Sequence, residues 1–73
     1  MDFRDAALTV LDEEGGPLHW TVIQDLALRR GYLDPFTQTD LKRNLLSALA
    51  SLVREGAVIK EGTGVYAAAG AVS

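Results

Sequence analysis

The hydrophobic period of this chain changes at Gly56, and that change constrains the fold more than any other feature. Before the glycine, Leu41, Leu45, Ala48, Leu49, Leu52 and Val53 recur at helical spacing, with Leu46 at the edge of the stripe. After it, Ala57–Glu61 and Val65–Ala68 read as two strands around Gly62-Thr63-Gly64. Two short strands separated by a glycine-containing turn predict a β-hairpin. A long amphipathic helix feeding directly into a hairpin leaves few ways to bury the leucines. The helix must turn its stripe toward other helices while the hairpin folds back beside it.

Those other helices stand upstream. Phe3, Ala7, Val10 and Leu11 predict a first helix from about Asp2 to Glu14, with Ala6 and Leu8 flanking the stripe. Asp2 is placed to cap it, and Gly15-Gly16-Pro17 stops it. Glu13 and Glu14 sit at the negative end of the helix dipole, a local mismatch. Leu18-His19-Trp20 reads as a minimal strand. A second helix is predicted from Thr21, with Thr21 and Gln24 at capping-box spacing and Gly31 ending it. Its apolar stripe is Val22, Ile23, Leu26 and Ala27. Tyr32–Phe36 forms a connector broken by Pro35. Thr37 is then expected to cap the third helix, with Asp40 at its third position and Phe36 stapled against Leu41. From there to Glu55 the third helix would run about 18 residues, or ~27 Å.

The predicted fold class is therefore α+β, a winged helix-turn-helix. It has three helices, a short strand and a C-terminal hairpin wing, with the domain at residues 1–69 and a frayed tail or linker start at 70–73. Seventy-three residues leave room for one domain only. The absence of cysteine excludes disulfides and thiolate metal sites. No apolar run approaches a membrane span, and no secretory leader is seen, so a cytoplasmic location is expected.

The chain carries a net charge of −3, which argues against indiscriminate binding to nucleic acid. The charge is unevenly placed, however. Residues 1–25 sum to −5, whereas residues 26–73 sum to +2. On a 100° wheel the outer face of the third helix holds Arg43, Asn44, Ser47, Ala50, Ser51 and Arg54. Short polar residues allow close approach to a groove, and Arg and Asn are the residues that read base edges and phosphates. Lys42 on the flank, with Lys60 and Thr63 on the wing, completes the candidate DNA-contacting set. The structural alternative for each is an ordinary solvated face or a hairpin that only closes the core. Arg29 and Arg30 can reach a phosphate or simply complement a helix dipole. His19 is read as a structural residue, and Trp20 as a core anchor or, if exposed, a protein-contact plug. Asp12, Glu13 and Glu14 point in different directions and are read as a solvated helix end. No nucleophile, metal constellation or phosphate-cradling loop is present, so no enzyme and no cofactor is expected.

The segments Asp5–Leu11, Gly16–Ile23, Leu52–Gly56 and Gly62–Tyr66 together resemble the HARE-HTH family of winged-helix domains, over roughly residues 3–68. That family occurs in the RNA polymerase delta subunit, in restriction enzymes and in Asx-like chromatin proteins. The resemblance implies a DNA- or transcription-linked role with the third helix as the recognition element. The connector Tyr32–Phe36, as read here, is shorter than the loop of many members. Two functions follow as expectations. One is a DNA-binding module in transcription regulation or DNA-targeted defence. The other is a protein-interaction module of the same fold that docks on RNA polymerase or a larger partner through His19 and Trp20.

Overall fold

The structure is a computed structural model and describes residues 1–70. Among them, three helices and a three-stranded antiparallel sheet follow the order α1 (Phe3–Glu14), β1 (Leu18–His19), α2 (Trp20–Arg29), α3 (Leu41–Glu55), β2 (Val58–Gly62) and β3 (Val65–Ala68). The sheet order is β1-β3-β2, so the last strand is central. Leu18 pairs with Tyr66 and His19 with Val65, while Val58 pairs with Ala68 across the hairpin. This is the α+β winged helix-turn-helix layout expected above. Residues 71–73, most of the expected tail, lie outside the described residues. Ala69, at the end of the expected domain, still donates its N–H to the Ala57 carbonyl at 2.9 Å.

The core forms where the helical stripes meet the inner face of the sheet. Ala6, Ala7, Val10 and Leu11 of α1, Ile23 and Ala27 of α2, and Leu45, Leu49 and Leu52 of α3 are fully buried. Val58, Tyr66 and Ala68 close it from the hairpin. Two residues of the expected stripes fall outside the core. Val22 is exposed and Leu41 only half-buried, because each stands at a margin of its stripe. The connector instead contributes Leu33, which is 2% exposed and donates its N–H to the Ala27 carbonyl.

Helix starts differ from expectation in two places, each for a local reason. α2 begins at Trp20, one residue early, and no Thr21–Gln24 capping box forms. Pairing of β1 with β3 holds His19 extended, and its Nδ1 accepts the Thr21 N–H at 3.3 Å and pairs with Thr21 Oγ1 at 2.8 Å. The Trp20 N–H is satisfied by the Gly64 carbonyl at 2.8 Å. Gln24 is left with a buried Oε1 that lacks a partner among the described residues.

α3 begins at Leu41 rather than after Thr37, so it has 15 residues. Asp34 closes a turn first. Its Oδ1 accepts from Phe36 at 2.9 Å, its carbonyl from Gln38 at 2.8 Å, and its own N–H donates to Gln38 Oε1 at 2.7 Å. Asp40 then takes left-handed backbone angles (φ 49°, ψ 48°) and makes no side-chain cap. Phe36 is 95% exposed, so the staple to Leu41 does not exist. The connector accordingly spans residues 30–40 and is longer than the sequence reading had it.

Ion pairs tie the helices together. Arg30, from the end of α2, bonds Glu13 at 2.8 Å and Glu14 at 2.6 Å, and Tyr32 donates its hydroxyl to Glu13 at 2.6 Å. These contacts offset the two carboxylates at the unfavourable end of the α1 dipole. Arg4 of α1 clasps Glu55 at the end of α3. The Arg4 hydrogen bond holds the Glu55 carboxyl below its ordinary range. A depressed carboxylate contributes stability above its unfolded pKa and loses it as pH falls through the folded value. Arg4→Met is therefore expected to narrow the drop in Tm between pH 6 and pH 3, measured by circular dichroism. An unchanged drop would show that the clasp contributes nothing in solution.

Candidate nucleic-acid interface

Ion pairing divides the seven basic residues of the chain into two groups. Arg4, Arg29 and Arg30 are each paired with carboxylates, Arg29 with Asp25 at 2.8 Å one turn earlier. Lys42, Arg43, Arg54 and Lys60 have no carboxylate within ion-pair distance among the described residues, and all four are exposed. Three of these stand on α3 and the fourth on β2, which follows α3 and packs against it.

Their placement follows from helical geometry. Arg43 and Arg54 are eleven positions apart, which returns them to nearly the same meridian and separates their Cα atoms by about 16 Å along the axis. Ser47 and Ala50 lie between them on that line, both exposed and both short. The face is thus low in the middle and cationic at both ends. A major groove about 12 Å wide, walled by phosphates, has the complementary relief. The start of α3 also borders a shallow open depression lined by Asp40, Leu41, Lys42, Arg43 and Leu46.

The other candidate side chains are partly committed within the protein. Asn44 donates its amide to the Thr39 carbonyl at 2.8 Å, holding the connector onto the first turn of α3. Arg54 donates to Ser51 Oγ at 3.1 Å, and Ser51 is half-buried. Lys42 Nζ lies over the Trp20 ring, 5.2 Å from its centroid. Lys60 is exposed on β2 opposite Tyr66, and Thr63 is exposed in the hairpin turn. His19 is the N-cap of α2 and Trp20 is half-buried, so both have structural roles. Among the described residues, no group of three or more His, Cys, Asp or Glu side chains is arranged to hold a metal ion. Nor is any described helix long and apolar enough to cross a membrane.

Two features were missed by sequence reasoning. The Lys42–Trp20 contact joins residues 22 positions apart and depends on how α2 and α3 cross. The exposure of Phe36 depends on the Asp34 turn. Neither carries a periodic signal.

Comparison with curated proteins and with solved structures returned no match. A protein-family model does match, over residues 1–69: HARE-HTH, described as the HTH domain of ASXL and restriction endonuclease proteins. It is a helix-turn-helix domain, generally DNA-binding and not generally catalytic. With that match spanning nearly the whole chain, and a three-helix, three-stranded winged architecture beneath it, the chain belongs to the HARE-HTH family.

Proposed function

We propose that this chain is a module that binds duplex DNA, with α3 entering the major groove and the β2–β3 wing alongside the backbone, in transcription regulation or DNA-targeted defence. The observation that carries this reading is the segregation of cations. Every base without a carboxylate partner among the described residues stands on α3 or β2. The acidic side chains of α1 lie on a separate element and repel phosphate, which favours approach by the α3–wing side. Arg43 and Arg54 would engage phosphates at the groove edges, Ser47 and Asn44 the groove interior, and Lys42, Lys60 and Thr63 the flanks.

The test is a fluorescence-anisotropy titration of a labelled duplex across a salt series. Three to four phosphate contacts give a log–log slope of about −2.7 to −3.6. Arg43→Ala is expected to lose most of the binding and to reduce the slope by about 1. Binding unchanged by Arg43→Ala would refute the assigned face. No binding even at low salt would favour the alternative, a protein-interaction module docking on RNA polymerase or a larger partner. For that alternative Phe36, at 95% exposure on a hydrogen-bonded turn, offers a more accessible aromatic than Trp20 or His19.

A further inference from the structure

Trp20 occupies the one junction at which three parts of the candidate interface meet. Its backbone N–H donates to the Gly64 carbonyl in the wing turn at 2.8 Å. Its indole Cδ1 lies 3.2 Å from the position a Cβ on Gly64 would take, so ring and turn are in direct contact. On the other side its ring receives the Lys42 ammonium from the first turn of α3, 5.2 Å from the centroid. His19, tilted 36° to the indole with centroids 5.8 Å apart, braces it from the preceding residue while capping α2. One half-buried side chain therefore touches both the wing turn and a cation of α3.

That arrangement matters for an exposed lysine. A free Lys side chain samples many rotamers, and ordering it on a phosphate costs conformational entropy. An ammonium attracted to an indole face is already restrained, and an ammonium has three N–H donors, so those directed away from the ring remain available. The same indole fixes the wing turn, so the two flanks of the face hold a common reference.

We propose that Trp20 is a positioning residue of the nucleic-acid face, which holds the Lys42 ammonium and the wing turn in the relative placement that a phosphate backbone meets. This rests on the reading of α3 and the wing as the duplex-contacting surface. Trp20 touches no DNA in this scheme and acts through Lys42.

The experiment has one arm without DNA and one with it. In the free protein, NMR of the Lys42 side-chain methylenes is expected to show an upfield ring-current shift, lost in Trp20→Leu and kept in Trp20→Phe. In anisotropy titrations, Trp20→Leu is expected to weaken duplex binding roughly two- to fivefold, the equivalent of the ~0.5–1 kcal/mol of an exposed cation–π contact. Trp20→Phe should restore most of that loss. In a Lys42→Met background, Trp20→Leu should cost little further affinity, because the route through Lys42 is already cut. Should Trp20→Leu fail to fold, Trp20→Phe and Lys42→Met still decide, since Lys42→Met alone must then match the predicted loss. Unshifted Lys42 methylenes, or a Trp20→Leu loss that persists in full without Lys42, would overturn the positioning role while leaving DNA binding intact. Absence of wild-type binding at low salt would overturn the DNA reading and the positioning role with it.

Discussion

Leu49→Ala is expected to destabilise the domain by about 2–5 kcal/mol, enough to leave a measurable unfolded population at 25 °C. Leu49 has no exposed surface and lies on α3 between Leu45 and Leu52, which are equally buried. α3 packs against α1 and α2, and the α1 face in that core carries Ala6, Ala7 and Val10, side chains too short to refill the vacated volume. A chain of this length has a total stability of only about 4–11 kcal/mol. At about 4–8 °C per kcal/mol, the thermal midpoint should fall by at least ~10 °C. Leu46→Ala is the matched control, with the same chemistry on the same helix at a half-buried position, and should cost distinctly less. Urea unfolding followed by circular dichroism separates the two. Equal losses would mean that the Leu45–Leu49–Leu52 stripe does not face the core.

That stripe was readable because it is periodic. Leucines spaced by four and three residues make one face of a helix whatever surrounds them, and the period changes at Gly56 where the hairpin begins. The cationic face was readable for the same reason, since Arg43, Ser47, Ala50 and Arg54 share a meridian by arithmetic alone. The start of α3 was not. Thr37 and Asp40 have the spacing of a helix cap, but Asp34 uses the same side-chain chemistry to close a turn three residues earlier, and the turn wins. Residues that cap helices also compete with them, so local spacing alone cannot choose. Arg30 had two readings open, a phosphate contact or a dipole partner. Its carboxylate partners come from α1, brought there by tertiary packing. Deciding which cations are free needed the fold, because a base is available to a ligand only when no carboxylate of the folded chain has reached it first.

Gly64→Ala is expected to cost more than Gly15→Ala, although the two glycines have nearly identical φ angles. Gly64 has φ +72° and Gly15 φ +71°, so the strain of placing an L side chain in the left-handed region is common to both, about 1–2 kcal/mol. Their surroundings differ. A Cβ at Gly15 meets nothing within 4 Å, whereas one at Gly64 falls 2.8 Å from His19 Nε2 and 3.2 Å from Trp20 Cδ1. The imidazole is not free to yield, because its Nδ1 is the acceptor that caps α2. Moving it sacrifices that cap, worth about 0.5–2 kcal/mol. Gly64→Ala should therefore exceed Gly15→Ala by roughly the value of the cap, read from parallel urea titrations. The same substitution should lift the wing turn off Trp20 and change its fluorescence, the chain having a single tryptophan. Gly15→Ala, whose new methyl reaches neither His19 nor Trp20, should leave that emission unaltered. If the two substitutions prove equal in cost and silent in fluorescence, the wing turn is not seated on His19 and Trp20, and the wing is free to move independently of α2 and α3.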